Sequence, residues 1–536
     1  MMKLFNRYIL CSLLLTGFQA SLHMSEPKSQ FDIDFDLMTS DPTLDGLEIS
    51  PDITRASPQS IIDTIIQLNG ITLLQNDIYK KTNPLNVRSL LYYPFVQQPR
   101  LSYAYDYIVG GHMFYNEMRR AYFTKDSSSI TSYLNICQPD FLDLLSESEK
   151  KIREIFPNFT IRPLDVLPLF NQATIEQRRI GALFYASYRF KSLGLRGIIP
   201  AYYLERNFII GLKERKELEN ELGASTYDEQ QKFQKEHLVS DKFGLGDSRI
   251  ELDFLVIDRD DTALNLGIYS TIPTAVTFGS GGLGSSFEKS AIRPDFSFAG
   301  LFDESMSAEQ RTKILQNFFI GTLDHLSANL LETPLGNDGH FGLGGYLEND
   351  LGLSRFIPRP WADQIFWVNK MYGEYMFPAH EKRFFVKRAD PAAFAARDFN
   401  NPAQGDSNLA FLDQELVNRF YPYVYTTMVY PGFNFEWTSK FSYEARNGGM
   451  SIGNDIWMEG KERLGDIKSC GQSLTNIDKS AGEKPIAFQS KVFASIFLKA
   501  NRPTRLWTVS FYGDYTYASQ GIGKDFTATL GLEINF

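Results

Sequence analysis

Apolar and polar side chains alternate with a period of two over many stretches of this chain. The last twelve residues, DFTATLGLEINF, are the clearest case. Phe526, Ala528, Leu530, Leu532, Ile534 and Phe536 share one parity, and Asp525, Thr527, Thr529, Gly531, Glu533 and Asn535 the other. That is a β-strand with one apolar and one polar face. GFNFEWTSKFSYEA sets Phe433, Phe435, Trp437, Phe441 and Tyr443 against Asn434, Glu436, Thr438, Lys440 and Glu444. RIELDFLV sets Ile250, Leu252, Phe254 and Val256 against Arg249, Glu251 and Asp253. LWTVSFYGDYTY and ALNLGIYSTI repeat the alternation. The pattern predicts strands near 104–120, 177–191, 194–208, 245–257, 262–274, 339–352, 363–377, 431–445, 449–459, 486–500, 504–517 and 525–536. Alternating segments of about ten residues have the length of strands that cross a bilayer.

The connections between these segments alternate as well. Five are long, and the ones between them are short: KSLG, DRDD, a stretch around SRFIPRP, RNGG and NRPT. A β-sandwich has no reason to keep such an alternation, whereas a membrane barrel with large loops at one end and tight turns at the other does. The hairpin ASQGIGK departs from it, being short where a long loop is expected. Parity is blurred in 339–352 and 363–377, so the expected count is about 12, within 10–14. Helical spacing is confined to the flanks and loops. It occurs at Ile61, Ile62, Ile65, Ile66 and Leu68, in the charged stretch 211–238, and in a segment opened by Ser307-Ala308-Glu309-Gln310, which fits a capping box.

Composition narrows the class. The chain has 536 residues, 14% of them aromatic, and a net charge of −10, which argues against nucleic acid as a partner. Lys3 and Arg7 precede the apolar run Tyr8–Gly17, which has the length of a signal-peptide core and is too short for a membrane span. The expected organisation is a signal peptide over 1–20, a periplasmic or plug-like segment over 21–100 and a barrel over 101–536. No later stretch has 18 consecutive apolar residues. An exported, aromatic-rich chain without helical spans crosses a membrane as a closed barrel, because lipid leaves no other way to satisfy backbone groups.

A last strand that ends on an aromatic residue resembles the C-terminal signature of bacterial outer-membrane β-barrels. The resemblance is to the class and extends by pattern over residues 101–536. It implies an all-β transmembrane antiparallel barrel in the outer membrane of a Gram-negative-type bacterium. It also implies that Phe536 is the signal read by the barrel-insertion machinery, and that outer-membrane lipid and small solutes are the partners. The leading function is a channel for passive or selective uptake of small solutes, with no cofactor. The alternatives are a membrane-embedded lipid hydrolase and a surface-exposed structural or adhesin barrel.

Candidate chemistry is sparse. The inward parity carries Arg189, Arg196 and Arg206 from early strands, and Glu251, Asp253, Glu436, Lys440, Asp514, Asp525 and Glu533 from later ones. They act either as walls of opposite sign across a solute path or as mutual ion pairs that hold the interior. His325 and Ser327 have the two-residue spacing that outer-membrane phospholipases use on a strand. Here they lie in a segment of helical periodicity, where positions i and i+2 diverge. Gly279 to Gly284 spells G-x-G-x-x-G, but Pro294 breaks the stretch behind it, and the segment reads as a surface loop. The histidines, His112, His340 and His380 among them, show no metal-ligand spacing. Cys137 and Cys470 fall in long loops of an oxidising compartment, where a disulfide is expected if their backbones approach.

Overall fold

The computed structural model describes residues 106–120, 174–209, 226–259, 261–282, 335–385, 423–468, 486–502, 505–520 and 522–536, with scattered loop positions between them. In chain order its strands are β1 (Tyr107–Arg120), β2 (Thr174–Phe190), β3 (Leu193–Ile209), β4 (Val239–Leu245), β5 (Ser248–Arg259), β6 (Thr262–Ile272), β7 (Val276–Gly282), β8 (Gly342–Gly352) and β9 (Ile365–Met376). They continue with β10 (Ala379–Phe385), β11 (Tyr423–Tyr430), β12 (Asn434–Ala445), β13 (Gly448–Glu459), β14 (Arg463–Lys468), β15 (Ala487–Arg502), β16 (Arg505–Gln520) and β17 (Lys524–Asn535).

Twelve of these form one closed antiparallel barrel, in the order β1, β2, β3, β5, β6, β8, β9, β12, β13, β15, β16, β17. Closure is made by β17 against β1, in register from Ile108 opposite Asn535 to Glu117 opposite Phe526. It leaves no open edge, which is the requirement lipid imposes. The blurred parity of β8 and β9 resolves here. Tyr346, Glu348 and Asp350 of β8 and Lys370, Tyr372 and Glu374 of β9 point inward, so the count is twelve. The described helices are short, and none is long and apolar enough to cross a membrane.

The two faces of the wall differ as their parities require. The outward positions include Met113, Phe184, Ile268, Ile452, Ile496, Leu498 and Phe511, each more than half exposed. No described residue covers this apolar belt, and a bilayer is the environment that removes such a surface from water. On β17 the inward set is Asp525, Thr527, Thr529, Glu533 and Asn535, all buried.

At the end of the barrel carrying the long connections, the wall continues past the closed ladder. β4 and β5 behave as one strand kinked at Gly246 and Asp247: β3 pairs with β5 over Leu193–Ile198 and with β4 over Ala201–Asn207. The backbone donors freed by the kink find side chains. Asp247 accepts from the Ala275 N–H (3.1 Å), and Thr274 Oγ1 accepts from the Ser248 N–H (2.8 Å). β7 pairs with β4, which places Gly279–Gly282 in a strand and corrects the surface-loop reading of that glycine run. On another side, β10, β11 and β14 form a separate three-stranded sheet above β9, β12 and β13. Pro378 and Pro431, which lack an N–H for the ladder, fall at these breaks. In the loops, the capping box at Ser307 and Gln310 is formed, with reciprocal bonds of 2.8 and 3.2 Å. A second box, Thr226 with Glu229, starts α1 (Tyr227–Phe233).

Inward glycines let aromatic rings lie flat against the wall. A Cβ on Gly267 would stand 2.3 Å from the Tyr346 ring, and one on Gly344 would stand 2.4 Å from the Tyr269 ring. Each ring covers the glycine directly across the ladder. Gly267→Val is therefore expected to displace Tyr346 and to destabilise the barrel by about 1–3 kcal/mol through overpacking. The midpoint of urea unfolding from lipid vesicles checks this.

Candidate functional site: the barrel interior

The inward side chains gather into two ionic networks. The first is built by β15, β16, β17, β1 and β2. Lys491 Nζ lies 3.2 Å from Asp514 Oδ1 and 3.0 Å from Asp525 Oδ1, with all three side chains removed from solvent. Asp525 also accepts from Asn116 (2.7 Å), Gln489 (2.9 Å) and Thr516. Asp514 accepts from the Tyr512 hydroxyl (2.8 Å). Arg179 donates to Asn116 Oδ1 (3.2 Å), which ties β2 to the same cluster. A lone lysine between two carboxylates is tolerable at this depth because each charged oxygen receives further hydrogen bonds.

The second network lies across the barrel, on β3, β5, β6, β8 and β9. Arg249 Nε is 2.8 Å from Glu251, Arg196 is 3.4 Å from the same carboxylate, and Arg189 is bonded to Asp253. Lys370 meets Glu348 at 3.2 Å. Tyr269, Tyr346 and Tyr372 pack together with ring centroids 5.2–6.4 Å apart. The Arg249 guanidinium sits 3.6 Å from the Tyr269 centroid and 4.6 Å from that of Tyr372. Lys370 Nζ is 4.7 Å from the Tyr346 ring and 4.8 Å from the Tyr372 ring. Two cations thus share three phenol rings, an arrangement favoured where water is scarce.

Beside the tyrosines a small cleft, with a cavity volume of about 40 Å³, is lined by Arg249, Tyr269, Tyr372, Glu374, Asn434, Glu436 and Trp457, among others. It lies toward the long-loop end, where β9 ends at Met376 and β12 begins at Asn434. Glu374 accepts from the Thr271 hydroxyl (2.5 Å).

Of the residues singled out from the sequence, Arg189, Arg196, Glu251 and Asp253 come together as local ion pairs between β2, β3 and β5. These arginines therefore meet carboxylates beside them rather than across the barrel. Asp514 and Asp525 share Lys491. Arg206 is buried and donates to Gln177 (2.8 Å). Glu533 accepts from Tyr185 (2.6 Å) and Asn535 (3.0 Å). Lys440 is buried in the field of Glu348, Asp350 and Glu444. Phe536 lies on the outer face at the tight-turn end. Its N–H donates to the Tyr107 carbonyl (2.9 Å), and Arg505 stands 5.1 Å from its ring centre. His325, Ser327, Cys137, Cys470 and residues 1–105 lie outside the described residues. Among the described residues, no three His, Cys, Asp or Glu side chains gather as a metal site.

Sequence reasoning misses Lys491, Lys370, Arg179, Trp457 and the three tyrosines. Lys491 carries a usable signal, since Gln489, Lys491 and Ser495 share a parity against Val492, Ala494, Ile496 and Leu498. The tyrosines carry none, because an aromatic residue suits either face of such a wall.

No family model matches the sequence, and no curated protein does. Solved barrels are similar to it in outline. An outer-membrane channel from Pseudomonas putida F1 is 7% identical with a TM-score of 0.38, over 82% of this chain and 97% of that one. The monoaromatic hydrocarbon channel CymD is 7% identical with a TM-score of 0.26, over 81% and 90%. The transport unit of the autotransporter AIDA-I from Escherichia coli is 6% identical with a TM-score of 0.31, over 84% and 95%. The likeness extends to barrel architecture and stops there.

Proposed function

We propose that this chain is a bacterial outer-membrane channel that passes small solutes selectively through a lumen narrowed by its own side chains. The observation that supports it is the sided wall: an apolar exterior around an interior of ionised, amide and hydroxyl groups, with a cleft at the long-loop end. Polar inner faces admit water, whereas a barrel with only a structural role is filled more stably by apolar side chains. In this reading Arg189, Arg196, Arg206, Glu251, Asp253, Glu436, Lys440 and Glu533 belong to the wall of the solute path, and Asp514 and Asp525, shut off from solvent around Lys491, brace that wall. Phe536 is the mark read by the insertion machinery.

Two effects oppose each other in setting conductance. The ionised wall favours ions, and the tyrosine cluster with its two cations narrows the bore. The expected result in a planar bilayer is conductance in small steps rather than the large ones of open porins. Replacing both Tyr346 and Tyr372 with alanine is expected to raise the step size at least twofold. Arg196→Gln with Arg206→Gln is expected to move the reversal potential toward cation selectivity. Refolded, heat-modifiable protein that never conducts would sink the channel reading.

A further inference from the structure

We infer that the cleft between β6, β9, β12 and β13 is a binding site for a small organic ammonium ion. Glu436 stands directly across the ladder from Tyr372 on one side and Trp457 on the other. Its carboxylate makes no hydrogen bond or ion pair with any described residue, although almost every other inward carboxylate has a partner. Next to it, the Asn434 side chain hydrogen-bonds to Glu374 through its amide nitrogen, and Asn434 Oδ1 has no donor. Three acceptors, Glu436, Glu374 and Asn434 Oδ1, therefore border one cleft. A primary ammonium offers three N–H donors and one positive charge, which is the complement of that set.

The aromatic rings point to the same class. Tyr269 and Tyr372 already carry Arg249 on their faces. Trp457 lines the same cleft with no described cation over its indole, and an indole is the strongest cation–π partner among the side chains. Arg249 does not reverse the sign of the cleft: it and Arg196 share Glu251, and Glu374 and Glu436 bring the carboxylates of this group to three against the two guanidiniums. Glu374 and Glu436 disfavour an anion here by like-charge repulsion. The cavity, about 40 Å³, suits a compact alkylammonium rather than a drug-sized ligand. The site rests on the channel reading only for the route by which a ligand arrives.

The test is equilibrium binding to the full-length, detergent-solubilised barrel by titration calorimetry. The probes are ethylammonium and its neutral counterpart ethanol. Wild-type protein is expected to bind the ammonium at least tenfold more tightly than the alcohol. Glu436→Gln is expected to lower ammonium affinity at least tenfold and to leave the alcohol unaffected. Trp457→Leu is expected to weaken the ammonium as well. The wild-type comparison needs no variant to fold, and heat-modifiable gel migration checks the variants. Equal affinity for the two probes, or an unchanged Glu436→Gln, overturns the site. A barrel that conducts without discriminating the amine loses this site and keeps the channel. One that binds the amine and does not conduct keeps the site and loses the channel.

Discussion

Lys491→Met is expected to destabilise the barrel by about 3–5 kcal/mol, the range for removing one partner from a buried ionic cluster. The reason is the pair of charges left behind. Asp514 and Asp525 are both within 3.2 Å of the lysine nitrogen and are themselves out of water. Without the ammonium, two carboxylates repel in a medium that screens poorly. The methylenes of the methionine fill most of the volume, so the loss is electrostatic rather than a cavity effect. Adding Asp514→Asn to Lys491→Met is expected to recover most of the stability, because the double variant leaves Asp525 facing Arg179 with no surplus charge. Urea unfolding from vesicles, read by intrinsic fluorescence, gives each value. A single variant as stable as wild type would mean that water reaches the cluster and that this part of the lumen is wet.

Ile496→Arg tests the other face. Ile496 lies midway along β15, between Met450 and Phe511 in the ladder, and all three are more than half exposed. In lipid, an arginine at such a depth costs about 2–4 kcal/mol. On a surface facing water, the same exchange changes stability by within about 0.5 kcal/mol. The neighbouring Ser495 points inward and shares a 2.6 Å hydrogen bond with Ser451. Ser495→Ala removes one hydrogen bond and is expected to cost about 1 kcal/mol. A large penalty at position 496 beside a small one at 495 identifies the lipid face. A neutral Ile496→Arg would place the barrel exterior in water.

The wall of this protein is legible because it repeats. A barrel strand meets lipid on one side and its own interior on the other, so each strand carries its orientation residue by residue, as Asp525 to Phe536 does. Tight turns such as Asn447, between β12 and β13, then mark one end. β8 and β9 are blurred because several inward positions hold rings: Tyr346 covers Gly267, and Tyr346 and Tyr372 both carry Lys370, a role that polarity does not encode. The kinks after β4 and β9 are also unreadable, since continuous alternation hides a change of ladder partner. Prolines at 378 and 431 are the available marks.

Local periodicity and turn chemistry are enough to specify the strands, their two faces and the alternation of long and short connections. Which inward charges meet depends instead on how the strands pack around the ring. Arg196 with Glu251, and Lys491 with Asp514 and Asp525, are brought together by strand register and barrel closure, across separations of 55, 23 and 34 residues. The same packing leaves Glu436, beside Trp457, with no hydrogen-bond or ion-pair partner among the described residues. Register is set cooperatively by the whole ring of strands. The parity of one strand fixes the face of each side chain and says nothing of its height on the wall.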